Sequence, residues 1–186
     1  MVIFVCGLIG TGKTTLAKAL AERFGFHYYD VDLIKKEIYP TDPDYEYNLQ
    51  NSIPFSDETR VKVFNRVVKD FAELAKEHEH LIVDETLHKK FLRQILFSGA
   101  EKYFGRYGIV WVKADEAAIK ERLTKDQREG HMLINPFEMY LSFKKEFEDF
   151  ENADIVFENN APFIESVAQL TELVRAKLLR SEKNKI

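Results

Sequence analysis

Eight residues near the start of the chain carry the clearest chemical pattern. Residues 7–14 read GLIGTGKT and match the spacing G-x-x-x-x-G-K-[ST] between an apolar run and a helical pattern. The glycines let a loop curl until several backbone N–H groups point at one phosphate chain, next to a helix N-terminus. Lys13 then reaches the β and γ phosphates, and the Thr14 hydroxyl takes one position on Mg²⁺. The pattern predicts a nucleotide-phosphate site but leaves open what happens to the phosphate.

Two aspartates follow the second predicted strand, in the stretch YYDVDLIKKEIY of residues 28–39. Asp30 and Asp32 fall at the carboxyl end of that strand, the edge at which open α/β sheets bind ligands. A carboxylate there accepts a hydroxyl proton, or orients the hydroxyl, while a phosphoryl group is transferred. The alternative is that one aspartate only caps the helix beginning at Leu33. The stretch predicts an acceptor site in which either aspartate acts as the base.

A second acidic pair ends the third predicted strand, LIVDE at residues 81–85. Asp84 stands where a carboxylate holds Mg²⁺ directly or through water. In another interpretation Glu85 activates a water molecule, which favours nucleotide hydrolysis. A third possibility is that these acids only cap the next helix. We predict Thr14 and Asp84 as the metal ligands.

A basic stretch, KERLTKDQREGH at residues 120–131, ends one predicted helix and enters a loop. Phosphoryl transfer spreads negative charge over the equatorial oxygens, and a basic lid supplies cations while it excludes water. A solvated helix face is the other explanation of such a run. We expect a lid at about residues 125–135, with Arg122 and Arg128 among its cations.

Composition limits the classes of protein to which the chain can belong. Its 186 residues, 45% of them hydrophobic, suit one domain over residues 1–186. The 27 basic and 31 acidic residues give a formal net charge of −4, so we expect no extended nucleic-acid binding. A single cysteine, Cys6, and a first apolar run too short to span a bilayer predict a cytoplasmic protein without a membrane partner.

Strands alternate with helices along the whole chain. Short apolar runs predict strands at residues 2–6, 26–29, 81–85, 107–112 and 154–159, with helical patterns between them. This alternation implies a parallel sheet covered on both faces.

Two stretches between these elements have composition of their own. Residues 40–56 contain three prolines and no clear period, which predicts a long loop on the acceptor side. Ser56 then has the features of an N-cap for a long amphipathic helix. NPFE at residues 135–138 predicts another helix start, with Asn135 as its cap, and that helix is expected to reach about Phe150.

Taken together, these stretches resemble the P-loop kinases related to the 5′-kinase domain of polynucleotide kinase. That group is often labelled as AAA-family ATPases, with zeta toxins, gluconate kinase and shikimate kinase as more distant relatives. GLIGTGKTTLAKAL is similar to its P-loop and first helix, and DLIKKEIY to its acceptor-site motif. LIVDETLHKKFLRQIL is similar to its third-strand motif, with Asp84, Thr86 and Arg93 in register. ERLTKDQREGH, followed by Phe147-Glu148, resembles its lid and the helix after it.

The resemblance implies an α/β, three-layer P-loop NTPase fold of the nucleoside-monophosphate-kinase type. Its five-stranded parallel sheet has the order 2-3-1-4-5, with helices on both faces and a small lid. ATP and Mg²⁺ are the implied cofactors, and the residues that bind them are Gly7, Gly10, Thr11, Gly12, Lys13, Thr14 and Thr15. The implied substrate-binding residues are Asp30, Asp32, Lys35 and Arg93. The implied catalytic residues are Lys13, Asp32, Arg122 and Arg128.

Two positions depart from the pattern of the family. Asp126 stands where an arginine is common in the lid, so Lys125 or Arg128 takes that role. Lys35 stands where arginine is usual, which weakens a bidentate grip on an acceptor phosphate or carboxylate.

The main hypothesis from the sequence is a kinase that moves the γ-phosphoryl of ATP to a hydroxyl. The acceptor is a small molecule, a nucleotide or a nucleic-acid end, beside an aromatic wall of Tyr39, Tyr45, Tyr47 and Phe55. The alternative is an ATPase or regulatory module without an acceptor, in which Glu85 directs water. A toxin-like kinase acting on nucleotide sugars has the same residues. A GTP switch is disfavoured because the chain has no Asn-Lys-x-Asp guanine motif.

Overall fold

Five parallel strands form one sheet in the order β2-β3-β1-β4-β5. The computed structural model describes residues 1–125 and 134–179. The predicted fold class and strand order are both confirmed. The strands are β1 (Val2–Cys6), β2 (His27–Tyr29), β3 (Leu81–Glu85), β4 (Tyr107–Lys113) and β5 (Ile155–Glu158).

Helices cover both faces of this sheet. Those in the described ranges are α1 (Lys13–Phe24), α2 (Val31–Ile38), α3 (Tyr45–Gln50), α4 (Asp57–Glu77), α5 (Lys90–Phe104), α6 (Glu116–Lys125), α7 (Pro136–Glu146) and α8 (Phe163–Val174). A π-helical turn, Arg175–Leu179, continues α8. Across residues 1–125 and 134–179, no helix has the length and apolar character needed to cross a membrane.

The central strands are buried on both faces because their side chains alternate between two hydrophobic cores. In β1, Val2, Phe4 and Cys6 belong to a core shared with α4 and α5. Ile3 and Val5 belong to the other core, shared with α1 and α8. The run VIFVC therefore reads as continuously apolar, as expected for an inner parallel strand.

A third, smaller cluster attaches α6 and α7 to the loop after β1. Ile119, Leu123 and Tyr140 are buried there, with Leu8 and Ile9 packed against them. The base of the predicted lid is thus joined to the P-loop by apolar contact.

The strand order decides which loops meet. Since β3 lies between β1 and β2, the carboxyl ends of these three strands are neighbours. Val5 pairs in register with Asp84, and Tyr29 pairs with Val83. The P-loop, the acidic end of β3 and the start of α2 therefore share one edge of the sheet, as Asp30 follows Tyr29 directly.

The prediction of a long loop over residues 40–56 is wrong in part. The segment contains a 3₁₀ turn, Tyr39–Thr41, and the helix α3. Its order comes from side-chain contacts: the Asp42 carboxylate accepts hydrogen bonds from Ser56 at the start of α4 and from the Asp44 amide. Proline content removes helical hydrogen bonds locally, but these contacts and buried aromatic rings stabilise a compact segment.

The prediction that the helix from NPFE reaches Phe150 is also wrong, because α7 ends at Glu146 and Phe147 is extended. The Glu148 amide donates to the His88 carbonyl at 2.8 Å. Phe147 and Phe150 pack on Trp111. Tertiary contacts thus override the helical pattern. Asn135 occupies the cap position, but its side chain makes no capping hydrogen bond.

Candidate active site

A cavity of about 820 Å³ opens at the carboxyl ends of β1, β2 and β3. This volume lies within the range of small-ligand sites. Predicted residues of both the nucleotide side and the acceptor side line it: Gly10, Gly12, Lys13, Thr14, Thr15, Asp30, Asp32, Lys35, Asp84 and Arg122. The structure therefore brings most of the sequence-predicted site together in one place.

The P-loop has the backbone conformation that its glycines predict. Gly7 has a φ of 144°, and a Cβ there would lie 2.2 Å from the Val112 carbonyl oxygen. Gly12 has a φ of 87° and immediately precedes α1, which begins at Lys13. Both positions require glycine because a side chain would meet backbone strain and neighbouring atoms. The loop thus ends at a helix N-terminus, where backbone N–H groups favour an anion.

Carbonyl groups of this loop accept hydrogen bonds from two residues that are distant in sequence, one on α6 and one directly after β5. The Asn159 side-chain amide donates to the Thr11 carbonyl at 2.8 Å. Arg122 donates to the Gly10 and Thr11 carbonyls at 3.4 and 3.3 Å, and to the Asn159 carbonyl at 2.8 Å. Arg122 therefore braces the loop while it also lines the cavity. The sequence did not single out Asn159 for this contact; its only signal was its place after the last strand.

Gly7 and Thr11 support the loop from within the protein. Thr11 is buried, and its hydroxyl donates to the Leu8 carbonyl at 2.9 Å. Neither residue is among those that line the cavity, in contrast to Lys13, Thr14 and Thr15.

The Asp84 carboxylate accepts hydrogen bonds from two hydroxyl groups in the described structure. Thr14 Oγ1 donates to Asp84 Oδ2 at 2.6 Å, and the Tyr28 hydroxyl donates to the other oxygen. Burial raises the pKa of Asp84, although the positive charge of Lys13 and both hydroxyl donors oppose that change. Tyr28 was missed by the sequence reasoning, since nothing in an alternating strand marks a tyrosine as a partner of an acid 56 residues away.

The oxygen atoms of Thr14 and Asp84 are ligands suited to Mg²⁺. Thr14 and Asp84 supply hard oxygen atoms, and a half-buried carboxylate with a raised pKa gains from a nearby cation. No group of three or more His, Cys, Asp or Glu side chains suited to a metal occurs in residues 1–125 and 134–179. That is compatible with Mg²⁺, which commonly binds one or two carboxylates together with substrate phosphates.

The two aspartates after β2 have different environments. Asp30 caps α2, and its side chain accepts from the Asp32 amide at 3.0 Å, so the predicted capping alternative describes Asp30. The helix begins at Val31 rather than Leu33. Asp32 is exposed toward the cavity and accepts from Lys35 Nζ at 3.0 Å.

Lys35 connects the two acidic positions. Its ammonium contacts Asp32 and also forms an ion pair with Glu85, whose side chain is only 2% exposed. Burial lowers the pKa of Lys35, but both carboxylates outweigh it and hold that pKa well above its ordinary value. The other Glu85 oxygen accepts from the Thr86 amide at 2.9 Å. One Glu85 oxygen is thus engaged by the ion pair with Lys35 and the other by the Thr86 amide.

Aromatic side chains close the cavity on the acceptor side. Phe55 contacts Tyr39 and Tyr45, with ring centroids 4.2 and 5.6 Å apart, and all three line the cavity. Tyr47, the fourth predicted wall residue, is largely exposed and does not line it. Arg60 also lines this wall and was missed. The sequence feature that could have identified Arg60 is its spacing: it stands four residues before Phe64, on the buried face of α4.

Arg93, one of the predicted substrate-binding cations, lies away from the cavity. Arg93 is buried, and its guanidinium donates to the carbonyl oxygens of Leu87, His88, Glu148 and Asp149. It does not line the cavity and instead joins the segment after β3 to the segment after α7. Arg128 and most of the predicted lid lie outside the described residues.

Solved structures of the same fold cover nearly the whole chain. A sugar kinase from Janibacter sp. HTCC2649 is 23% identical, with 95% of this chain and 93% of that chain covered and a TM-score of 0.72. A gluconokinase from Sinorhizobium meliloti 1021 is 22% identical, with 98% and 96% covered and a TM-score of 0.71. An APS kinase from Mycobacterium tuberculosis, solved with AMPPNP and APS, is 16% identical, with 94% and 96% covered and a TM-score of 0.63. These similarities show a shared fold.

Sequence comparison adds the family. No curated protein matches the chain at a significant level. The AAA domain family matches residues 3–159, which include the P-loop, the carboxylates at the carboxyl ends of β2 and β3, and Asn159 directly after β5. The chain therefore belongs to the AAA domain family.

Proposed function

We propose that this protein is an ATP-dependent phosphotransferase that moves the γ-phosphoryl of ATP to a hydroxyl group. The acceptor is a small molecule, a nucleotide or a nucleic-acid end. One observation carries the proposal: Lys13, Thr14 and Asp84 share a single cavity with Asp32 and an aromatic wall that ATP phosphates do not need. Kinases among the proteins of the same fold support it.

On the nucleotide side, backbone N–H groups at the start of α1 bind the phosphate chain. Lys13 reaches the β and γ phosphates and balances their charge. Thr14 and Asp84 hold the metal, which when bound neutralises charge that develops on the phosphates. Arg122 and Asn159 fix the loop by its carbonyl groups, so the N–H groups stay directed at the phosphates.

On the acceptor side, Asp32 orients the attacking hydroxyl or accepts its proton. Its carboxylate lines the cavity and is oriented by Lys35, whereas the Asp30 carboxylate is committed to the cap of α2. We therefore favour Asp32 over Asp30 as the base. Arg128 remains a proposed lid cation.

Glu85 is a poor candidate for directing water. Its carboxylate is buried, paired with Lys35 and bonded to the Thr86 amide. A general base needs an oxygen available to the attacking molecule. This arrangement favours transfer to an acceptor over simple ATP hydrolysis.

Labelled γ-phosphate tests the proposal directly. ADP release and label transfer are measured with a panel of hydroxyl compounds and without any acceptor. We expect one class of acceptor to raise ADP release and to become labelled. ADP formation at one rate in every mixture, with no labelled acceptor, would establish an ATPase instead.

Asp32→Asn separates the acceptor role from nucleotide binding. We expect loss of label transfer by about 10²-fold or more, with ATP affinity retained, because only the acceptor hydroxyl loses its base. Asp44→Asn is the matched control, since Asp44 does not line the cavity. Lys13→Ala should abolish turnover under either scheme. Unchanged transfer in Asp32→Asn would remove the proposed role of Asp32.

A further inference from the structure

Arg60 is a buried cation that has no acidic partner among residues 1–125 and 134–179. It is 3% exposed, yet it lines the cavity. Its Nε donates to the Phe55 carbonyl at 3.0 Å, and its guanidinium carbon lies 4.8 Å from the centroid of the Phe143 ring. In the part of the chain that the structure describes, no carboxylate lies within ion-pair distance of Arg60. Arginine is rarely buried without a partner, because desolvation of its charge is costly.

The acids near this wall are engaged with other groups. Asp42 accepts hydrogen bonds from Thr59, from Ser56 and from the Asp44 amide. These bonds lower the pKa of Asp42, with the Thr59 hydroxyl as the largest cause. They keep its charge at the start of α4 and leave Arg60 unmatched.

Lys35 differs from Arg60 in this respect. Its charge is balanced by the carboxylates of Asp32 and Glu85. The sequence pattern favoured Lys35 as the acceptor-binding cation. Two carboxylates already neutralise its ammonium group, however, so it attracts a ligand anion only weakly. Of the two cations, Arg60 is the one whose charge a ligand can neutralise.

A buried histidine near Arg60 is affected by the cations around it. His88 is buried, with its ring perpendicular to that of Phe143, the ring that also covers Arg60. Burial, together with the positive charges of Arg60, Lys89, Arg93 and Lys35, lowers the pKa of His88 to about 3. Lys35 and Lys89 are paired with carboxylates, so an anion entering here is attracted chiefly by the charge of Arg60.

Contacts on two sides hold the guanidinium plane in position. The Phe55 carbonyl fixes its Nε edge, and Phe143 covers the group. A planar guanidinium held in this way presents its remaining N–H groups as a fork that matches the oxygens of a carboxylate or phosphate.

We infer that Arg60 binds an oxyanion carried by the acceptor, a carboxylate or a phosphate group, while Asp32 addresses the acceptor hydroxyl. This inference rests on the proposed kinase function, and it narrows the acceptor to hydroxyl compounds with a negatively charged group. Neutral sugars and nucleosides are poor acceptors in this scheme because they leave the Arg60 charge buried and unmatched.

Anion protection tests the site without knowledge of the acceptor. The protein is saturated with Mg²⁺ and AMPPNP, so that the P-loop is filled, and its thermal midpoint is followed with inorganic phosphate, acetate or chloride. We expect phosphate or acetate, but not chloride at equal ionic strength, to raise the midpoint of the wild-type protein. Whichever of phosphate and acetate raises the thermal midpoint more identifies the kind of oxyanion that the site binds.

Arg60→Met should weaken binding of that anion by about tenfold or more, since the bidentate hydrogen-bonding partner is lost. Lys62→Met is the matched control on the same helix, where an exposed lysine pairs with Glu58. Arg60→Lys keeps the charge without the fork and should retain only part of the effect. Equal protection in wild-type protein and Arg60→Met, or no protection by either oxyanion, overturns the inference.

Transfer assays separate this inference from the proposed function. Anion protection that depends on Arg60, without label transfer to any acceptor, would refute the kinase and leave only an anion site. Transfer confined to neutral acceptors and unchanged in Arg60→Met would leave the kinase and refute the role of Arg60. We expect hydroxy acids or sugar phosphates to be labelled faster than their uncharged amides or free sugars.

Discussion

The ion pair between Lys35 and Glu85 gives a quantitative test of how the acceptor side is built. The Glu85 side chain is 2% exposed and the Lys35 side chain 13%, so each charge depends on its partner for compensation. Removing one member of a buried pair typically costs about 3–5 kcal/mol. Because the two side chains have different neighbours, we expect removal of Lys35 and removal of Glu85 to lower the free energy of unfolding by different amounts.

Lys35→Met leaves the Glu85 carboxylate buried, with the Thr86 amide as its one remaining donor among the described residues. We expect it to lower the free energy of unfolding by about 3 kcal/mol. Glu85→Gln leaves Lys35 with Asp32 at 3.0 Å, a carboxylate that is 62% exposed. The expected loss is therefore smaller, about 1–2 kcal/mol.

The double variant Lys35→Met/Glu85→Gln removes both charges. We expect it to lose no more than about 2 kcal/mol, because neither charge is left buried and unpaired. The coupling energy from the cycle is then about 2–3 kcal/mol.

Urea unfolding without nucleotide measures all four proteins, and the midpoints are compared at equal slope. Lys36→Met, at an exposed position on the same helix, is the control and should change stability little. Additive losses in the double variant, or a larger loss for Glu85→Gln than for Lys35→Met, would refute the reasoning.

Two further predictions concern Asp84. Burial raises the pKa of Asp84, so the folded state binds more protons, and stability falls as pH rises through that pKa. Asp84→Asn without metal should therefore be more stable than wild type at pH 7, with a gap that closes toward pH 4 in urea unfolding, while transfer is lost. Tyr28→Phe removes one hydrogen-bond donor to Asp84. It should raise the Mg²⁺ concentration needed for half-maximal binding and activity, the Mg²⁺ midpoint, about tenfold, as measured by calorimetry and by ADP release.

Controls for these two variants follow from the same contacts. A constant stability gap from pH 4 to pH 7 would show that the Asp84 charge is not the cause. Tyr29→Phe removes a hydroxyl that bonds Asp70, away from Asp84, and should leave the Mg²⁺ midpoint unchanged. Equal shifts in both tyrosine variants would contradict the Tyr28 assignment.

Much of the fold was predictable because it follows from local patterns. The run VIFVC, the glycine spacing of residues 7–14 and the alternation of strands with helices each depend on residues close in sequence. Ser56 caps α4 as predicted, with its hydroxyl accepting from the Thr59 amide. The errors lie where distant residues intervene. Phe147 leaves the helical path because its partners are Trp111 and the segment around Arg93.

For this protein, the sequence by itself determined the phosphate loop, the sheet and the carboxylates at its edge, since motif spacing and periodicity encode them. Only the tertiary structure decided which charges are available to a ligand. Lys35 is matched by Glu85, 50 residues away, and Arg93 by backbone carbonyls, whereas Arg60 has no carboxylate among the described residues. The reason is physical: the cost of a buried charge depends on the groups that the fold places beside it, and neighbours in sequence do not specify them.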